Sequence, residues 1–146
     1  MIKIFDGEYA FLSNFYECPV IYDGIQYANS EAAFHAQKTL IADERKQFAT
    51  LTPSQSKKLG RKITLRPDWE AVKTNIMYEI VLAKFTQNED IAVKLLATGD
   101  EELVEGTYWH DNCWGDCYCD KCKDIQGENR LGKILMQVRE ELKRDL

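Results

Sequence analysis

The clearest periodicity lies near the end of the chain, where "ENRLGKILMQVREELKRDL" puts Leu131, Ile134, Leu135, Val138 and Leu142 on one face of an amphipathic helix. Trp69, Val72, Ile76, Ile80 and Phe85 recur at roughly helical spacing between Asp68 and Thr86. Beyond Asn88, "EDIAVKLLATG" repeats that spacing and stops at Gly99, so two consecutive helices are predicted. Earlier, Thr52-Pro53-Ser54-Gln55 has the order of a capping box, with proline at the first helical position and Gly60 as the stop. Asn29 or Ser30 supplies an N-cap oxygen for a further helix running to Ala42, with Glu31 in its first turn. The opening stretch is different: Phe, Tyr, Ile and Val are punctuated by Gly7, Asn14, Pro19 and Gly24, the pattern of short strands and turns. "EELVEGTYW" reads as a further strand region. Together these predict an α+β fold, a single helix-rich domain over residues 1–146 with a small antiparallel sheet near the N-terminus.

Composition narrows the function classes. The chain is 45% hydrophobic and 146 residues long, enough for one buried core. A net charge of -5 gives no global field attractive to a nucleic-acid backbone, so an anionic ligand needs a local patch. No apolar run resembles a signal peptide or a membrane span, which predicts a cytoplasmic protein with no membrane partner. Five cysteines, an odd number, read as thiols or metal ligands before disulfides.

Candidate chemistry gathers in three places. In "YANSEAAFHAQK", Glu31, Phe34, His35 and Lys38 share one sector of the predicted helix, with alanines around the rest. Glu31 and Lys38 would stand about 10 Å apart along the axis, too far for an i,i+4 ion pair and wide enough for a ligand. A partly desolvated lysine there can act as a nucleophile; a plain solvated face explains the same pattern, and His35 reads as a packing or hydrogen-bonding residue. In "YWHDNCWGDCYCDKC", Trp109, Asp111 and Trp114 crowd one loop, where rings can stack on bases or sugars and a carboxylate can stabilise an anomeric cation. The rings of a buried structural loop are the alternative. The same stretch holds Cys113, Cys117, Cys119 and Cys122 in a C-x3-C-x-C-x2-C order, enough thiolates for zinc but with only one C-x2-C knuckle. Reduced thiols without metal are therefore expected, and no cofactor. Lastly, "KKLGRKITLR" collects Lys57, Lys58, Arg61, Lys62 and Arg66, a patch able to hold phosphate or merely to face solvent.

Taken in order, "FDGEYAFLSNFY", "GIQYANSEAAFHAQK", "KKLGRKITLRPDW", "KFTQN", "LLATGDEELVEG", "WHDNCWG" and "GENRLGKILMQVR" resemble the successive signature blocks of the NADAR family over nearly the whole chain. The resemblance implies an N-glycosidase, a hydrolase cleaving the bond between a phosphorylated ribose or ADP-ribose and a base or amine. Its implied partners are ribosylamino-pyrimidine phosphates of riboflavin synthesis or ADP-ribosylated guanine in nucleic acid. By position, it makes Glu31, Lys38 and Asp111 catalytic. Its W-x-D-x-x-W-G block also gives Trp109 and Trp114, and these two with Asn14, Asn29, Phe34, Arg61 and Trp69 are expected to bind substrate, with no metal ligand. A lysine in that place suggests an imine intermediate, and Glu31 or Asp111 activating water is the other route. Two competing classes stay open: a non-catalytic module that binds ADP-ribose or a nucleotide, and a zinc-stabilised interaction domain.

Overall fold

The computed structural model describes residues 1–145, so Leu146, the last residue of the predicted domain, lies outside it. The described chain clusters into two compact units, residues 14–89 and residues 1–13 with 90–145. We refer to them as the central unit and the terminal unit.

The central unit starts with an antiparallel hairpin of β1 (Val20–Tyr22) and β2 (Ile25–Tyr27), Val20 opposite Tyr27. Asp23 at φ 49° and Gly24 at φ 83° make the two-residue turn that matches strand twist. Gln87 closes the outer edge of β1, accepting from the Ile21 N–H at 2.7 Å and donating to the Ile21 carbonyl at 2.9 Å. Four helices complete the unit's sequence: α1 (Ser30–Ala36), α2 (Ala42–Lys46), α3 (Pro53–Leu59) and α4 (Trp69–Gln87). The predicted capping box of α3 is formed in both directions, Gln55 N–H to Thr52 Oγ1 at 3.1 Å and Thr52 N–H to Gln55 Oε1 at 3.0 Å. Helix α4 buries Trp69, Ile76, Met77, Ile80, Val81 and Phe85, and it packs against β1 and α1.

The predicted helix from Ser30 to Ala42 is broken after Ala36. Its last carbonyls and those just beyond are taken by groups outside the helical ladder. The Arg66 N–H donates to the Lys38 carbonyl at 2.7 Å and Arg45 Nε to the Thr39 carbonyl at 2.8 Å, while Gln37 Nε2 caps the Ala33 carbonyl at 3.0 Å. These bonds replace the helical ladder and send the chain into α2.

In the terminal unit, residues Gly7–Leu12 form a 3-10 helix where short strands were predicted. Adjacent Phe11 and Leu12 are both buried, which a two-residue strand period cannot achieve. Helix α5 (Glu89–Ala97) agrees with its predicted span, and Gly99 follows at φ 64°. Strands β3 (Gly106–Thr107) and β4 (Asp116–Cys117) pair in parallel, and Ile2 bridges to Leu103. Helix α6 (Arg130–Arg144) buries Leu131, Ile134, Leu135 and Val138, the predicted face. It comes so close to the preceding segment that a Cβ on Gly132 would stand 2.1 Å from the Leu103 carbonyl oxygen. Among the described residues, no helix is long and apolar enough to cross a membrane.

Candidate active site

Helix α1 positions the first acidic group. The Asn29 side chain accepts the Ala32 N–H at 2.8 Å and donates to the Leu51 carbonyl at 2.9 Å, and the residue is 0% exposed. Asn14 works beside it: its carbonyl takes the Glu31 N–H at 3.2 Å and its Oδ1 the Ser30 hydroxyl at 2.9 Å. Both asparagines, predicted to bind substrate, thus satisfy the orphan donors of a helix start and fix where Glu31 emerges. Glu31 Oε1 is 2.7 Å from His35 Nε2 one turn on, both side chains nearly buried. The other face of the His35 ring lies against Gly60, and Nδ1 is buried with no partner among the described residues.

Lys38 sits in the turn just past α1, not on the helix as predicted, its carbonyl pinned by Arg66. Its side chain is half-buried, with Nζ 6.0 Å from the centre of the Trp69 ring. Trp69 in turn packs on Phe34 with centroids 5.1 Å apart at 53°, so Phe34, Trp69 and the lysine stem share one apolar wall. Burial pushes the Lys38 amine below the ordinary lysine range; the Glu31 carboxylate opposes this, while Arg61 and Lys73 reinforce it. The central unit therefore gathers Glu31, Phe34, Lys38, Arg61 and Trp69.

Arg61 is exposed and lies outside every ion pair among the described residues. Arg66 from the same basic run is committed instead, to Asp68 through Nε at 2.6 Å and Nη2 at 3.0 Å. Lys73 pairs with Glu70 at 2.9 Å. Only part of the predicted basic patch is thus available to a ligand.

Trp109, Asp111 and Trp114 lie on one loop of the terminal unit. Trp109 is 59% exposed and Trp114 half-buried. Asp111 Oδ1 accepts the N–H groups of Cys113 at 3.1 Å and Trp114 at 2.9 Å, an Asx turn that shapes the loop. On the same loop, the side chains of Cys117, Cys119 and Cys122 converge with His110, which takes the place that the sequence reading gave to Cys113.

A NADAR domain family model matches residues 3–143. The chain belongs to the NADAR domain family. The N-glycosidase YbiA of Escherichia coli is 38% identical to this NADAR chain over 138 residues, covering 92% of the chain and 82% of YbiA. A riboflavin biosynthesis protein of Vibrio vulnificus is 40% identical over 142 residues, but the chain spans only 36% of its length. The NMR structure of E. coli YbiA matches with a TM-score of 0.81 at 34% identity, covering 99% of this chain and 88% of that one. Both the resemblance read from the seven blocks and the helix-rich α+β class are thus confirmed.

Two groups, one in each unit, escape the sequence reading. Lys73 follows Trp69 by four positions on α4, which puts the two on one face of that helix; this spacing was the available signal. His110 stands seven positions before Cys117, within reach of the cysteine run, but only the fold shows that its ring turns inward.

Proposed function

We propose that this chain, an N-glycosyl hydrolase like the YbiA proteins it matches along most of their length, releases a base or amine from a phosphorylated ribose. The observation that carries the reading is Lys38: an amine of lowered basicity beside the Glu31 carboxylate, on a wall of aromatic rings. A module that only bound ADP-ribose would need no such amine, because desolvating a lysine is a burden unless its nucleophilicity is used. Phe34 and Trp69 would receive the ribose or base, and Arg61 the phosphoryl group.

In the proposed reaction, neutral Lys38 Nζ attacks the anomeric carbon and the C1′–N bond breaks, its electron pair leaving with the base. The Glu31 carboxylate takes the proton released by the attacking amine and passes it to the leaving nitrogen. The substituted amine loses a proton, C1′–O4′ opens with a proton to O4′, and an imine joins Nζ to the sugar. Water adds to that carbon, with the Glu31 carboxylate as base, and cleavage of the C–Nζ bond returns lysine and free ribose phosphate. One water is consumed overall. Direct attack by water activated by Glu31 is the second route. Asp111 is the weaker candidate for that role, because one of its oxygens already holds two backbone N–H groups.

The substrate class favoured is a ribosylamino-pyrimidine phosphate, in line with the riboflavin name of the Vibrio relative and the net charge of -5, which is unsuited to long nucleic acid. The test is incubation with this class and with ADP-ribosylated guanosine, following ribose phosphate or ADP-ribose by mass spectrometry. A hydride reductant added during turnover should fix a sugar-mass adduct on the Lys38 peptide. Absence of an adduct together with an active Lys38→Ala variant would reject the imine and leave the water route.

A further inference from the structure

The loop joining β3 to β4 and continuing to α6 contains a cluster that plays no part in the proposed hydrolysis. His110, Cys117, Cys119 and Cys122 each bring one ligand atom to a common point, and all four atoms lie within 4.8 Å of one another. His110 Nδ1 is 3.4 Å from Cys122 Sγ and 3.3 Å from Cys119 Sγ. Zinc bonds of about 2.3 Å to sulfur and 2.0–2.1 Å to nitrogen, at tetrahedral angles, put ligand atoms roughly 3.6 Å apart for N···S and 3.8 Å for S···S. The two His110 distances fall close to the N···S value, and no pair of ligand atoms is farther apart than 4.8 Å.

Each ligand is brought there by its own piece of backbone. Cys117 is fixed on β4, where its N–H donates to Asn112 Oδ1 at 2.9 Å and the next residue pairs with the Thr107 carbonyl. Cys119 and Cys122 are the two ends of a turn closed by the Cys122 N–H on the Cys119 carbonyl at 3.0 Å, and their C-x2-C spacing is one that zinc sites use. His110 is held at φ 67°, a left-handed conformation unfavourable for a residue with a Cβ, and in it the ring reaches the three sulfurs. The cysteine left out is Cys113, whose backbone is tied into the Asx turn of Asp111.

We propose that His110, Cys117, Cys119 and Cys122 bind one structural zinc ion, which staples the loop between β3 and α6. Three thiolates and an imidazole in tetrahedral array select zinc over calcium or magnesium, which take oxygen ligands. All four positions are filled by protein, the mark of a structural site as opposed to a catalytic one. The ion would anchor His110, the residue between Trp109 and Asp111, and so hold a loop that has only two-residue strands to order it.

The test uses untagged protein purified without chelator, with metal measured by plasma mass spectrometry. The expected result is one zinc per chain, and cobalt substitution should give the strong visible absorption of a tetrahedral thiolate site. His110→Ala and Cys119→Ser should lower zinc to below about a tenth of an equivalent, while Cys113→Ser keeps it in full. If the first two variants fail to fold, cobalt titration of the chelated parent still decides: stoichiometric uptake with thiolate charge-transfer bands supports the site. A parent that takes up neither zinc nor cobalt, a disulfide among the three cysteines, or loss of zinc in Cys113→Ser would overturn it.

Discussion

Replacing Gly60 with alanine should destabilise the protein although the backbone there suits alanine. Gly60 has φ -59° and ψ -17°, an ordinary helical conformation, so by backbone preference alone the change would stabilise by about 0.4–1 kcal/mol. The added Cβ would however stand 2.7 Å from His35 Nδ1, 3.1 Å from His35 Cγ and 3.2 Å from the Ser56 carbonyl oxygen. The backbone oxygen cannot swing aside as a side chain would. The His35 ring can withdraw only by stretching its 2.7 Å bond to Glu31. Overpacking of this kind costs about 1–3 kcal/mol, so the net expectation is a loss of about 1–2 kcal/mol. For a chain of this size that lowers Tm by roughly 2–8 °C. Urea unfolding at constant m-value gives the stability, and a turnover assay on the same samples should show reduced activity because Glu31 is displaced. In a His35→Ala background the part of the cost due to the ring should vanish, leaving only the 3.2 Å contact with the Ser56 carbonyl oxygen. A Gly60→Ala variant as stable as its parent would refute the claim that Gly60 is there to admit His35.

Arg61→Ala should raise KM more than it lowers kcat, and should move the acidic limb of kcat/KM to higher pH. Removing a positive neighbour favours the Lys38 ammonium, so the neutral amine appears later as pH rises; an unmoved limb with unchanged KM would count against both roles. Asp111→Asn should keep the stability of the parent, because the amide oxygen can still accept from Cys113 and Trp114, whereas Asp111→Ala should lose about 1–2 kcal/mol in urea melts. Lys84 is 1% exposed and burial pushes its amine down to about 8, so the native state binds fewer protons than the unfolded chain between pH 8 and the ordinary lysine value. Stability from this group rises with pH across that window and is lowest below it, by about 3 kcal/mol. Lys84→Met should therefore be most stable relative to the parent below pH 8, with the gap closing toward pH 10; a gap independent of pH would contradict this.

What the sequence made legible was governed by local chemistry. The face of α6 follows from the spacing of Leu131, Ile134, Leu135 and Val138, and the start of α3 from Thr52 and Gln55, with no distant residue needed. The end of α1 depended instead on Arg66 and Arg45, whose competing bonds to the Lys38 and Thr39 carbonyls arrive from later segments. A periodicity argument cannot see them. For the same reason the geometry expected for Glu31 and Lys38, one straight helix face, does not hold. The cysteine cluster shows the limit from the other side. Spacing alone offered four cysteines, and the fold selects three of them together with a histidine held in a left-handed turn.

The central claim is that Glu31 and Lys38 carry out the cleavage. Single-turnover rates on a ribosylamino-pyrimidine phosphate, measured for Glu31→Gln and Lys38→Met beside urea melts of the same proteins, test it most directly. The account predicts that each variant loses at least about 100-fold in rate while its unfolding free energy stays within about 1 kcal/mol of the parent. A folded Lys38→Met or Glu31→Gln protein that turns over at the parental rate would contradict it.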